Sequence, residues 1–133
     1  MTRNAIYDYA ESVVNTTATP VYCASRFEPI PEEFPACFLY EIGKTDVETA
    51  VTLDFTEKVK FVTWEVQVFS NSVNDAVSEA NGIMDRVEVA FRDMKFLETF
   101  CSEMTTGDPS VYRIVARFER TICDADTIPT QEG

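Results

Sequence analysis

Chemistry in this chain would have to come from acids, arginines and cysteines, because its 133 residues include no histidine. Two carboxylate pairs stand close in sequence, Glu32 with Glu33 and Asp124 with Asp126. Neighbouring acids can hold Mg²⁺ or share a proton. Both pairs sit in loop or tail sequence that offers no rigid shell, so the sequence favours a solvated surface over a metal or acid–base site. Arg113 and Arg117 lie on one face of a strand-like run and could clamp an anion. The commoner arrangement is pairing across strands with acids such as Glu65 or Glu119. Without histidine, Ser–His and Cys–His nucleophile arrangements are excluded. The four glycines form no phosphate-binding loop. Cys23, Cys37, Cys101 and Cys123 contain no C-x-x-C pair, the usual mark of a thiolate metal site. The reading is of no catalytic, cofactor-binding or metal-ligating residue.

Composition narrows the class further. The chain carries 23 acidic and 11 basic residues, a formal net charge of −12. Such a chain is poorly suited to grip nucleic-acid phosphates, which Lys and Arg do by releasing counterions. It is equally unsuited to anionic membrane surfaces, and the plainest role of the charge is solubility. Hydrophobic content of 45% with 12% aromatics is that of a globular protein. Its length suits one domain, read here as residues 1–123 with a polar tail at 124–133. Met1–Asp8 lacks the apolar core of a signal peptide, and no apolar run approaches the ~20 residues of a membrane span. The cysteines are therefore expected to be reduced and mostly buried, in a protein that folds in a cytosol.

The patterning predicts an α+β fold. Ala5–Val14 reads as a short helix with Ile6, Tyr9, Ala10 and Val13 on one face, stopped before Pro20. Val21–Arg26 is a short strand, followed by a loop around Pro29, Pro31 and Pro35. Ala36–Ile42 reads as a strand closed by Gly43-Lys44. Val47–Thr56 alternates apolar and polar residues and is expected to form a hairpin with Val59–Phe69. In the latter, Val62, Trp64, Val66 and Val68 make the core face while Thr63, Glu65 and Gln67 look outward. In Tyr112–Ile122 the core set is Tyr112, Ile114, Ala116, Phe118 and Ile122, with Arg113, Arg117 and Glu119 facing away. Phe96–Met104 is the remaining strand. Strands with one apolar and one polar face imply a mostly antiparallel sheet covered on one side.

The cover is a helix predicted over Val73–Met94, with Ser72 and Asp75 as a capping-box-like start. Val73, Ala76, Val77, Ala80, Ile83, Met84, Val87, Ala90, Phe91 and Met94 follow helical spacing. At 1.5 Å per residue it is roughly 32 Å long, enough to recross the sheet. Gly82 lies opposite the apolar stripe, where alanine would be ~1 kcal/mol better. Ser78 and Val89 share that outer face. The glycine is either neutral on the surface, which the sequence alone favours, or marks close approach by another subunit. Glu65, Gln67, Ser78, Gly82, Val89, Arg113 and Arg117 are thus the candidate interaction surface.

The string Phe61-Val62-Thr63-Trp64-Glu65-Val66-Gln67-Val68-Phe69-Ser70-Asn71 ahead of this helix resembles small tail-assembly proteins of long-tailed bacteriophages. So do Phe34-Pro35-Ala36-Cys37-Phe38 and the finish Tyr112-Arg113-Ile114-Val115-Ala116-Arg117-Phe118-Glu119. Within that group the likeness is to tail terminator (tail completion) proteins, and it covers roughly residues 20–122. Those proteins often carry glycine-phenylalanine just after the helix, where this chain has Lys95-Phe96. The resemblance implies an antiparallel sheet with packed helices and a ring, usually a hexamer, on the finished tail tube. Its implied partners are further copies of itself, the tail tube protein and a head-side connector protein. The ring would sit in the virion at the head–tail junction, after assembly in the host cytoplasm. DNA would pass through without being specifically bound, which an acidic ring suits. The alternatives are a head-closure or neck protein of the same virion, or a small metal-dependent enzyme using the acids.

Overall fold

A computed structural model describes residues 1–47, 59–123 and 126–129. It is the expected α+β arrangement: five strands in one mostly antiparallel sheet, with two helices packed on one face. Helix α1 spans Arg3–Val14, β1 Tyr22–Ala24, β2 Ala36–Asp46 and β3 Val59–Ser70. Helix α2 spans Ala76–Asp93, β4 Leu97–Met104 and β5 Tyr112–Cys123. The strand order is β1-β2-β3-β5-β4, with β1 parallel to β2 and every other pairing antiparallel.

The period-2 pattern of β3 sets the core. Val62, Trp64, Val66 and Val68 are buried on the helix-covered face, beside Ile114, Ala116, Phe118 and Ile122 of β5. Ile83, Met84, Val87, Ala90 and Phe91 of α2 pack on them, and α1 adds Ile6, Tyr9, Ala10 and Val14. Phe91 stacks on Phe118 at 4.5 Å between centroids and lies 6.0 Å from Trp64, so the two aromatics share one core as the pattern predicts. The Trp64 indole N–H has no acceptor among the described residues. Trp64, Tyr7 and Ser25 border a cavity of about 100 Å³, room enough for water.

The structure corrects several element boundaries. Helix α2 begins three residues later than the apolar periodicity suggests. Val73 is 96% exposed, and Asp75 is the N-cap without a side-chain capping bond. The Ser70 hydroxyl instead donates to Glu79 Oε1 at 2.7 Å and accepts from the Ser72 N–H, so the strand end rather than Ser72 anchors the first turn. Strand β2 does not stop at Gly43; a bulge between Glu41 and Gly43 absorbs the irregularity and pairing continues to Asp46. The expected strand Val47–Thr56 lies almost wholly outside the described residues. The expected hairpin is replaced along β3 by β2 on one edge and β5 on the other.

The chain beyond β5 is tied down at its start. Asp126 accepts the Cys123 N–H at 2.8 Å and pairs with Arg120 at 3.2 Å, while Ile128 packs against the core. That backbone hydrogen bond, helped by Arg120, holds the Asp126 carboxyl below the usual range. Asp124 lies outside the described residues, so the acidic pair there is represented by a structural Asp126. Glu32 and Glu33 are exposed, as loop carboxylates.

Candidate functional site

The sheet face away from the helices carries the polar residues that the alternation of β3 and β5 sends outward. Antiparallel register sets Glu65 between Tyr40 of β2 and Arg117 of β5, and Gln67 between Phe38 and Val115. Tyr40 Oη donates to Glu65 Oε1 at 2.6 Å. Gln67 Nε2 donates to Tyr40 Oη at 2.6 Å and to Glu65 Oε1 at 3.1 Å. Arg113 Nε donates to Gln67 Oε1 at 2.7 Å, and Arg117 Nε to Glu65 Oε2 at 3.0 Å. Arg113 and Arg117 therefore divide their partners: Arg117 takes the carboxylate and Arg113 an amide.

Burial and charge within this network oppose each other. Burial pushes the Glu65 carboxyl up, but hydrogen bonds from Tyr40, Arg117 and Gln67 outweigh it and hold the group below its ordinary value. Burial, reinforced by the bond to Glu65, pushes the Tyr40 phenol up. Gln67 was expected to look outward into solvent, yet it is 4% exposed. The reason is a second, smaller core on this face: Ala36, Phe38 and Phe69, joined by Tyr22, Phe34 and Val111. Phe27 caps it edge-on to Phe38 at 6.2 Å. The sheet is thus not bare on its outer side, as one-sided coverage implied.

Aromatic rings also fix the arginines. The Arg113 guanidinium lies 5.8 Å from the Phe27 centroid and 5.7 Å from that of Phe69, and Arg117 lies 5.5 Å from Phe100. Such contacts contribute about 0.5–1 kcal/mol each near the surface. With Nε bonded and the plane held by rings, the terminal Nη groups of both arginines make no hydrogen bond among the described residues. Arg113 in particular presents a pre-oriented fork, the geometry that suits a carboxylate.

The other candidates lie elsewhere. Ser78 and Val89 are exposed and Gly82 half-exposed on the side of α2 turned from the sheet, so the structure separates them from Glu65, Gln67, Arg113 and Arg117. A Cβ built at Gly82 meets nothing within 4 Å, so no internal close approach calls for a glycine there. Asp85 continues the Ser78–Gly82–Val89 stripe at helical spacing. Beside it, Glu88 of α2 and Glu98 of β4 form a carboxyl pair. Burial, then the bond to Glu88, pushes Glu98 up to about 7 against the opposing Arg92. Burial and the neighbouring Glu98, Glu88 and Asp85 raise the exposed Cys101 thiol.

Edge strand β4 is exposed along its whole length. Leu97 (70% exposed), Phe100 and Met104 share the outer face with the arginines, since they pair with Glu119, Arg117 and Arg113. A groove of about 680 Å³ opens at the end of the sheet, between Val73 and Val77 on one side and Met104, Pro109 and Val111 on the other. Cys23, Cys37 and Cys101 are free thiols; of the four cysteines only Cys37 is buried, against the expectation of mostly buried thiols, and Cys23 and Cys37 stand side by side in the β1–β2 register. Sequence spacing gave no sign of that neighbourhood. It also missed Phe27, which no periodicity ties to the outer face, and Tyr40, whose place follows from the alternation of β2.

Among the described residues no cluster of three or more Cys, Asp or Glu side chains is arranged to hold a metal ion, and no helix is long and apolar enough to cross a membrane. Neither a protein-family model nor any characterised protein sequence matches the chain.

Proposed function

We propose that this protein is a structural assembly protein that caps a phage tail tube as an oligomeric ring, ending tube polymerisation and preparing the tail for joining to the head. The observation that carries the reading is β4. An eight-residue edge strand is open to solvent on both faces and carries Leu97, Phe100 and Met104 uncovered. Edge strands of this kind pair with or cover other chains unless they are protected. The resemblance of Phe61–Asn71 and Tyr112–Glu119 to tail terminators supplies the identity of those chains: further copies, then the tube end below and the connector above. The polar network of the outer face supports a binding rather than a reacting surface, because its acid and amide are consumed in holding arginines. The acidic balance suits a ring that lets DNA pass.

Deleting the gene from its phage tests this. The expected lysate holds filled heads without tails, and tails that run past their normal length, both visible by electron microscopy. Normal-length tails joined to heads would remove the assignment. Normal-length unjoined tails beside leaking heads would point to head closure.

A further inference from the structure

We propose that the outer sheet face around Arg113 is the docking surface for a second copy of this chain, which enters with the Asp85–Val89 side of its α2. The inference deepens the ring reading and rests on it, by naming the subunit contact. Arg113 is held by Gln67 and by the rings of Phe27 and Phe69, with its Nη fork unbonded among the described residues. Exposed Phe27 and Met104 flank it. Arginine beside aromatic and Met side chains is the composition of interface centres.

The occupant follows from charge. The outer face offers, in Arg113, a cation without a carboxylate partner among the described residues. The far side of the same molecule has the reverse condition: Asp85, Glu88 and Glu98 gather around Cys101, with Arg92 as the cation acting on Glu98. Each face supplies what the other lacks. Gly82 lies one turn before Asp85 on that side and has open space around it, which lets a neighbouring surface approach the helix backbone. Because the two faces differ, the contact is head-to-tail, and such contacts generate rings when the rotation closes.

Charge exchange tests the contact. One full-length variant carries Arg113→Glu and the other Asp85→Lys with Glu88→Lys, each studied by analytical ultracentrifugation at physiological ionic strength beside the wild type. The wild type is expected to sediment as assemblies of the 15.0 kDa chain. Each variant alone should associate roughly 30-fold more weakly or worse, and an equimolar mixture should regain assembly because every contact is again complementary. Gly82→Gln, which the fold accommodates, should melt no lower than wild type yet lose assembly. A wild type that stays monomeric, a variant that assembles unchanged, or a mixture that stays dissociated overturns the proposal. The ring-cap reading fails separately. Swapped mixtures that assemble but do not seat on tube ends uphold this contact and remove that role, whereas tube capping unaffected by either variant removes this contact alone.

Discussion

Lys95 shows how a single residue carries strain for the sake of the element that follows it. It takes φ 67°, the left-handed region, directly after the helix C-cap Met94. The Lys95 N–H donates to the Arg92 carbonyl and the Phe96 N–H to the Phe91 carbonyl, both at 2.9 Å. These are the two bonds of a Schellman ending, and the Phe91–Phe96 ring contact at 5.1 Å is its hydrophobic clasp. Glycine is the usual occupant because an L side chain in this conformation costs roughly 1–2 kcal/mol. The lysine that departs from the glycine-phenylalanine of tail terminators therefore sits where glycine is favoured physically. Lys95→Gly is expected to stabilise the protein by about 1 kcal/mol, seen as a higher denaturant midpoint. Lys95→Ala, which keeps the Cβ, should give no such gain. Equal midpoints for wild type and the glycine variant would show that the turn is unstrained.

At the scale of elements, α2 and β4 meet through two carboxyls, and the pH dependence of that meeting has a definite sign. Glu98 binds its proton more tightly in the folded protein, near 7 against an ordinary 4.5. Its contribution is thus undiminished below pH 4.5 and declines as pH rises towards 7. Glu65 and Asp126 shift downward, so their contributions are present above the ordinary carboxylate range and are lost as pH falls below it. Stability should peak in mildly acidic solution. Glu98→Gln is expected to flatten the decline between pH 4.5 and 7 while leaving the acid limb intact, measured by melts across that range. Parallel declines for variant and wild type would show that Glu98 does not cause it. The elements themselves were legible to different depths. The periods of β3, β5 and α2 fixed most of the side chains that face the core, because each buries one stripe; in the first turn of α2, however, Val77 follows the stripe and is 56% exposed. Their ends were less legible. Val73 continues the apolar stripe but lies beyond the point where Ser70 ties down the first turn, an interaction between elements that periodicity does not encode. The strand partners of β3 were likewise misread, since alternation names a strand's faces and not its neighbours. The outer face was half legible: Glu65, Gln67, Arg113 and Arg117 came from alternation. The rings of Phe27 and Phe69 that hold Arg113 came together only through the loop between β1 and β2.

For the whole molecule the governing number is the net charge of −12 on one small domain. In the proposed ring, closure would bring several such charges together, and the range of their repulsion depends on salt. The Debye length is ~30 Å at 0.01 M ionic strength and ~8 Å at 0.15 M. A 133-residue domain has a radius of gyration of about 14 Å. In dilute salt each subunit therefore repels its neighbours with its full charge, and at physiological salt only with the charges near the contact. A close Arg113–carboxylate contact is screened far less, because its partners are separated by less than either length and lie partly out of water. Association should accordingly strengthen from 0.01 to 0.15 M salt, then weaken towards 1 M, where the Debye length of ~3 Å reaches the contact itself. Light scattering across that series at constant protein concentration reads the outcome. A maximum at intermediate salt is expected of an acidic ring former with one complementary seam. Larger species that grow steadily as salt is removed would mean that attraction between opposite faces, and not self-repulsion, dominates the free protein.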